Sequence, residues 1–208
     1  FDASANNITF KGTEDLGGGL KAGFELNQRF NSVDGAGYNG RTFENAFLTL
    51  SGGFGYLSLG RHQPISVASF DIFNGLGISK WDPPVGATGS AYGYNNVSGS
   101  RYDNAVSYTS PVFYGLRVTG VTTLNPAVNT DREATAVRLA YSSGALNVAY
   151  VHEQVQAKTG DNRRSDKNLG LSYDFGVAKA LLLWGQEGSA KSRASLGVIV
   201  PVTGSLNV

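Results

Sequence analysis

The sequence predicts an all-β protein, organised as an antiparallel up-and-down sheet that crosses a membrane as a β-barrel. Three observations support this fold class. Apolar residues recur at every second position in many segments of roughly seven to ten residues, which is the period of strands. Short connections alternate with long polar ones. Charged residues form only 16% of the chain, against about 25% in an average soluble domain.

About eleven segments have this alternation and are interpreted as strands. On one face they carry large apolar residues, and on the other Gly, Ala, Ser, Thr and Asn with most mid-strand charges. In chain order the apolar sets include Ile8 and Phe10; Leu20, Ala22, Phe24 and Leu26; Leu116 and Val118; Val137, Leu139 and Tyr141; Leu146, Val148 and Tyr150; Leu169, Leu171, Tyr173 and Phe175; and Leu196, Val198 and Val200.

The connections predict two unlike rims. Short connections fall at 12–19, 51–55, 109–115, 142–144, 176–177 and 201–205, and long ones at about 30–41, 61–101, 123–131, 154–166 and 187–191. The glycines of "GTEDLGGG" are interpreted as a tight turn, because a phosphate-binding loop would end in Gly-Lys-Ser/Thr and precede a helix. We therefore expect a meander with short turns at one end.

Alternation alone does not say which face meets water, since a soluble barrel buries its apolar face and a membrane barrel exposes it to lipid. The positions of the aromatic residues favour the membrane. Tyr56, Tyr108, Tyr114, Tyr141, Tyr173 and Phe175 lie in or beside short turns, and Trp184 lies near a long loop. Such positions are typical of the aromatic girdles at the two membrane interfaces.

Composition excludes several function classes. The chain has no cysteine, two histidines and a net charge of +1. Thiolate or Cys/His metal sites are therefore excluded, and a nucleic-acid partner held by a basic field is disfavoured. His152 is the only strand-proximal histidine and lacks a matching serine motif, so we expect no enzyme, no cofactor and no metal.

Several blocks of the sequence resemble the general porins of Gram-negative outer membranes, of the trimeric beta-proteobacterial type. They are "NITFKGTEDLGGGLKAGFEL" (7–26), "FLTLSGGFGYLSLGR" (47–61), "SFDIF" (69–73), "AVSYTSPVFYG" (105–115) and "LSYDFGVAKA" (171–180). The resemblance implies a closed sixteen-stranded barrel in the outer membrane, in contact with lipid and lipopolysaccharide. It also implies a homotrimer that passes small hydrophilic solutes and ions by passive diffusion.

Measured against that family, residues 1–208 are expected to be one barrel domain that is incomplete at both ends. About eleven strands cannot close a sixteen-stranded barrel, and open sheet edges are not tolerated within a bilayer.

The resemblance also implies a constriction. The connection 61–101 takes the place of the third loop, which folds into the lumen, and its apolar residues argue against a disordered loop. Asp71, in "SFDIF", matches the loop acid that faces the pore, and a short helical turn is expected around "SVASFDIF". Arg61 and Arg101 match basic residues of the opposite wall.

Alternation treats these two arginines differently. It places Arg101 on the face of Asp103 and Ser107, but it places Arg61 with Leu57 and Leu59, toward lipid. Either the chain bulges at Gly60, or the strand has ended before Arg61. We favour the second interpretation, because the long loop starts there.

Further lumen charges are second-rank candidates. Lys11 and Arg29 share the lumen face with Lys21, and Glu25, Arg117 and Arg138 also fall on it. The family commonly has an arginine where Asn7 stands and an acid where Asn27 stands. The basic set is Lys11, Lys21, Arg29, Arg101, Arg117, Arg138 and Arg193; the acidic set is Glu25, Asp103, Glu153 and Asp174. The basic excess predicts mild anion selectivity.

Two other function classes remain open at this point. One is a membrane β-barrel adhesin or enzyme with the same strand pattern. The other is a secreted soluble β-sandwich that acts as a binding module. A full-length protein that stays soluble and monomeric without detergent would indicate the β-sandwich.

Overall fold

A computed structural model of the chain describes residues 6–37, 42–65, 101–124, 132–157, 163–188, 192–203 and 206–207. Eleven strands form one sheet in which each strand pairs antiparallel with the next along the chain. They are β1 (Asn7–Gly17), β2 (Leu20–Arg29), β3 (Asn45–Gly52), β4 (Gly55–His62), β5 (Tyr102–Thr109), β6 (Leu116–Thr123), β7 (Arg132–Ser143), β8 (Leu146–Ala157), β9 (Arg163–Asp174), β10 (Lys179–Glu187) and β11 (Arg193–Ile199).

The predicted meander is confirmed. Tight connections join β1 to β2, β3 to β4, β5 to β6, β7 to β8 and β9 to β10 at one rim, and longer segments join the strands at the other. Two short strands, β12 (Pro201–Thr203) and β13 (Leu206–Asn207), form a separate hairpin. No helix in the described ranges is long and apolar enough to cross a membrane.

The two faces of the sheet differ sharply in exposure, as strand β7 shows. Val137 and Leu139 are 38% and 43% exposed, whereas their neighbours Ala134 and Ala136 are 4% and 3% exposed. We call the face of Val137 and Leu139 the outward face and the face of Ala134 and Ala136 the inward face. The outward face presents large apolar side chains to the surroundings, which is the arrangement of a membrane barrel.

The inward face is not uniformly polar, which sequence alternation had not indicated. Val121, Val151, Val155 and Leu183 are all buried there and belong to one apolar cluster with Tyr102 and several alanines. Polar residues of the same face, such as Asn168 and Ser172, lie beside this cluster and are also buried. Strands β6–β10 therefore combine an apolar and a polar inward surface.

Strand β4 corrects one expectation. The strand does not end before Arg61 but continues through His62. Gly60 pairs with Ala105 and His62 pairs with Tyr102, so β5 contains one more residue than β4 in this interval. Gly60 has φ 135° and Asn104 has φ 52°, which is the irregular backbone of a β-bulge. The expectation that the strand ends before Arg61 is thus wrong. The irregularity beside Gly60 is a bulge in β5, because the pairing of β3 with β4 continues without a shift through Arg61.

Because of the same bulge, the face that alternation predicted for Arg101 is wrong. Because of the extra residue in β5, Tyr102 rather than Asp103 continues the face of Ala105 and Ser107. Strict alternation therefore carries no information about Arg101 or Asp103, and their positions follow from their own contacts.

Aromatic residues collect at the rim of the short turns. Tyr108, Tyr141, Tyr173 and Phe175 are between 38% and 62% exposed. The hydroxyl of Tyr108 donates to the carbonyl of Phe54 in the neighbouring turn at 2.6 Å, and the rings of Tyr173 and Phe175 lie 4.7 Å apart. This belt agrees with a membrane interface at that rim.

Candidate pore-lining site

Arg61 is the penultimate residue of β4 and lies opposite the bulge in β5. Its Nη1 donates to the carboxylate of Asp103, and its Nε donates to the carbonyl of Phe43 at 3.2 Å. The side chains of Arg61 and Asp103 are only 18% and 24% exposed. The charge that simple alternation would point toward lipid is therefore neutralised by an acid that the bulge presents.

Arg101, which immediately precedes β5, binds Glu44 in a similar way. Its Nη2 lies 3.1 Å from the carboxylate of Glu44, and its Nε donates to the Glu44 carbonyl at 3.0 Å. These side chains are 12% and 3% exposed. Two guanidinium groups thus bind the consecutive carbonyls of Phe43 and Glu44, each with its own carboxylate.

Local backbone contacts explain why these segments meet. The amide of Glu44 donates to the carbonyl of Asn27 at 2.7 Å, which ties the segment before β3 to the end of β2. His62 packs edge-on between the rings of Phe47 and Tyr102, at centroid distances of 6.3 and 5.8 Å. The end of β4 and the start of β5 are held together by this stack.

The inward face of β1–β3 carries the second-rank candidates. In the register, Lys11 lies opposite Glu25, and Arg29 lies opposite Asn7. Glu25 accepts a hydrogen bond from Asn45 at 3.0 Å. Lys21 lies opposite Asp15, near the short-turn rim.

Asn7 and Asn27, the two departures from the family pattern, contact each other. The Asn27 amide donates to Thr9 Oγ1 at 2.6 Å and to Asn7 Oδ1 at 3.3 Å. Two neutral amides therefore occupy positions where the resemblance implies an arginine and an acid. The contact between the side chains of Asn7 and Asn27 is therefore polar but uncharged.

Arg117 and Arg138 form a different arrangement on the inward face of β6 and β7. Arg138 lies opposite Thr119, two residues along the strand from Arg117, and the charges of the two arginines are close enough to interact. Neither forms an ion pair within the part of the chain that the structure describes. Nε of Arg138 is buried without a hydrogen-bond partner.

Two buried acids, Glu44 and Asp166, were missed by sequence reasoning. Glu44 was assigned to no site, because it lies before a strand, where alternation assigns a residue to neither face. Asp166 falls within the long connection predicted at 154–166, but β9 extends to Arg163 and places Asp166 opposite Glu153. Both carboxylates are almost completely buried. The alternation of Asp166, Asn168, Gly170 and Ser172 was the signal that could have identified it.

Asp71 and the proposed helical turn lie outside the described residues, as does most of the connection 61–101. Its first residues are described, and Pro64 and Ile65 are buried. Ile65 belongs to the apolar cluster of the inward face. Across the described ranges, no three acidic or histidine side chains are grouped as ligands for a metal ion.

Comparison with known proteins gives a consistent result. A family model described as "Gram-negative porin" matches residues 2–208. Outer membrane porin protein 32 of Delftia acidovorans is 35% identical over 191 residues, which cover 85% of this chain and 53% of that protein. An outer membrane porin protein of Bordetella pertussis is 32% identical over 196 residues, which cover 84% of this chain and 50% of that protein.

Among solved structures, the anion-selective porin from Comamonas acidovorans superposes with a TM-score of 0.76 at 27% sequence identity. The match covers 97% of this chain and 66% of that protein. The chain spans about half the length of the curated relatives that it matches.

Proposed function

The chain belongs to the Gram-negative porin family, and we propose that it forms part of an outer-membrane channel for passive diffusion of small hydrophilic solutes and ions. The outward face meets lipid and the inward face lines a watery lumen. The relatives that it matches bear the names of porins rather than of enzymes. Transport through such a channel needs no covalent chemistry, since pore width and wall charge decide what passes.

We further propose mild anion selectivity. The observation that carries this proposal is the pair Arg117 and Arg138, two inward guanidinium groups that form no ion pair in the described ranges. A fixed positive charge in a narrow aqueous passage attracts anions and repels cations. One solved structure similar to this chain is an anion-selective porin, which supports the same direction.

A basic excess also follows from the register of the inward positions whose side chains the structure describes. The basic positions are Lys11, Lys21, Arg29, Arg117, Arg138 and Lys179; the acidic positions are Asp15, Glu25, Glu153, Asp166 and Asp174. This count omits the two arginine–carboxylate pairs, which contribute no net charge.

We propose that the connection 61–101 folds into the lumen and narrows it, with Asp71 facing Arg61 and Arg101 across the constriction. The burial of Pro64 and Ile65 supports this, because the chain leaving β4 packs directly against the inward apolar cluster. The ion pairs Arg61–Asp103 and Arg101–Glu44 would hold the wall of the constriction rigid.

We propose that the full-length protein is a homotrimer embedded in outer-membrane lipid and lipopolysaccharide. This assembly is what family membership implies. Planar-bilayer recordings of the full-length protein should close in three equal steps, and a single step would contradict the trimer.

The reversal potential in a salt gradient tests the selectivity directly. With KCl tenfold more concentrated on one side, we expect a potential of the sign that chloride permeation produces. A clear preference for potassium would overturn the proposed anion selectivity, and the absence of any conductance would overturn the channel itself. Deletion of residues 66–100 should raise the conductance; an unchanged conductance would contradict the inward loop.

A further inference from the structure

Tyr56 lies on the inward face, although its place beside a short turn suggested the outward aromatic belt. It lies opposite Ser51 of β3 and opposite Thr109 of β5. Two residues further along β4, Ser58 is buried on the same face, whereas Leu59 is outward and 45% exposed. The sheet therefore directs the side chain of Tyr56 inward, near the short-turn rim.

The start of β4 fixes the position of Tyr56. Gly55 approaches β5 so closely that an added Cβ would lie 2.3 Å from the carbonyl oxygen of Thr109. The hydroxyl of Tyr56 lies within hydrogen-bonding reach of the Thr49 side chain and close enough to Glu25 for an electrostatic interaction. The side chain is nevertheless 38% exposed. The hydroxyl end is thus held by the wall, while part of the ring remains accessible.

Hydroxyl side chains border this ring on the inward face. The register places Ser51, Tyr56 and Thr109 side by side across three strands, and we call these three residues the hydroxyl row. Ser51 and Thr109 are partly exposed. The hydroxyl of Thr109 lies 3.1 Å from that of Thr119 on the next strand. An accessible aromatic surface is therefore flanked by groups that both donate and accept hydrogen bonds.

Tyr56 differs from the large apolar side chains of the inward cluster. Tyr102 is 2% exposed, and Val151 and Leu183 are 0% and 3% exposed. Apolar surface in contact with water is unfavourable, so a ligand that covers such surface gains binding free energy. The ring of Tyr56 is therefore available for contact with a solute, whereas the rings and methyl groups of the cluster are already covered.

We propose that the hydroxyl row is a binding site for the ring of a neutral sugar, which stacks on Tyr56. A pyranose has a face of C–H groups that can cover an aromatic ring, and its hydroxyls can bond to the neighbouring serine and threonine. Lys21 lies opposite Ser51, and Glu25 lies near Tyr56. Their opposite charges at the border of the row favour a neutral solute over an organic anion. This inference rests on the proposed channel, because a solute must reach the inward face.

Sugar-induced changes in ionic current test the site. The full-length protein is reconstituted in planar bilayers, and its KCl conductance is measured before and after maltotriose is added. A bound sugar excludes ions from part of the lumen, so we expect a decrease in conductance that saturates with sugar concentration. Tyr56→Ala should lower the apparent association constant about fivefold or more, and Tyr56→Phe, which keeps the ring, by about twofold or less.

The matched control is Tyr141→Ala, because Tyr141 is also 38% exposed at the short-turn rim but lies on the outward face. Its association constant for maltotriose should equal that of the wild type. A decrease that stays proportional to sugar concentration, or equal association constants for the wild type and Tyr56→Ala, would overturn the sugar site and leave the channel intact. A wild type without KCl conductance would overturn the channel and the sugar site together.

Discussion

Arg61 and Arg101 lie beside the long-loop rim, each bound to a carboxylate and a backbone carbonyl, and both are mostly shielded from solvent. Arg117 and Arg138 lie on the wall of β6 and β7, and neither forms an ion pair in the described ranges. All four residues are arginines, and each carries one positive charge. The first two are held in fixed geometry, whereas the last two contribute uncompensated positive charge.

In the proposed channel, charge in the wall would serve two separate purposes. A paired arginine shapes and stiffens the wall, because its charge is cancelled at short range while its hydrogen bonds connect three segments. An unpaired arginine changes the potential along the passage. Removing the ion pairs of Arg61 and Arg101 should therefore change geometry or stability. Replacing Arg117 and Arg138 should change ion preference.

The largest effect is expected at Gly60, which lies next to Arg61 and where β4 approaches β3 closely beside the bulge in β5. In Gly60→Ala, the added Cβ would lie 2.3 Å from the carbonyl oxygen of Ala46, at a φ of 135° that alanine rarely adopts. We expect a loss of about 3 kcal/mol or more in the free energy of unfolding, measured by urea titration in lipid vesicles.

The matched control is Gly120→Ala. Gly120 lies in β6, and an added Cβ would meet nothing within 4 Å. Its expected cost is below about 1 kcal/mol. Equal stability of the two variants would contradict the requirement for glycine at position 60.

The next effect concerns the Arg101–Glu44 pair. Glu44→Gln removes the carboxylate from a guanidinium that is 12% exposed, and a mostly buried charge without its partner is unfavourable. We expect unfolding to become easier by about 1–3 kcal/mol. The same titration applied to Asp34→Asn, whose carboxylate accepts only a local turn hydrogen bond from Ala36, should show almost no change.

A selectivity effect is expected from the unpaired arginines. The double variant Arg117→Gln/Arg138→Gln should lower the anion-to-cation permeability ratio by a factor of about two or more, with little change in stability. Reversal potentials in a KCl gradient measure this ratio. Arg61→Ala and Arg101→Ala should each shift the potential in the same direction, because each leaves a carboxylate unpaired. The double variants Arg61→Ala/Asp103→Ala and Arg101→Ala/Glu44→Ala should shift it much less, because each removes two opposite charges. A larger shift for these double variants than for Arg117→Gln/Arg138→Gln would invert the comparison.

The smallest effect is expected where the family pattern is absent. Asn27→Asp places a carboxylate beside Asn7 and Thr9. We expect a slight reduction in the permeability ratio, below the effect of the Arg117/Arg138 double variant. Because the amide and the carboxylate have nearly the same shape, the strand pairing should remain intact. The control is therefore the free energy of unfolding, which should not change.

Much of the fold could be predicted from alternation, since a two-residue period and a lipid environment leave few choices for large apolar residues. The strands around Phe24, Leu139 and Leu171 were assigned to the correct face for this reason. Alternation failed in β5 at Asn104, because one extra residue there inverts the faces of the positions between it and the start of the strand. It also failed at Asp166, where hydrophilic composition suggested a loop although the strand continues.

The amino-acid sequence by itself determined the eleven-stranded meander, its outward apolar face, the aromatic rim and the family, because each depends on local periodicity or on contiguous blocks of residues. Only the tertiary structure decided which arginines are paired. Arg61 meets Asp103, 42 positions away, and Arg101 meets Glu44, 57 positions away. Such contacts depend on the register of neighbouring strands and on a bulge, and no period in the sequence encodes them.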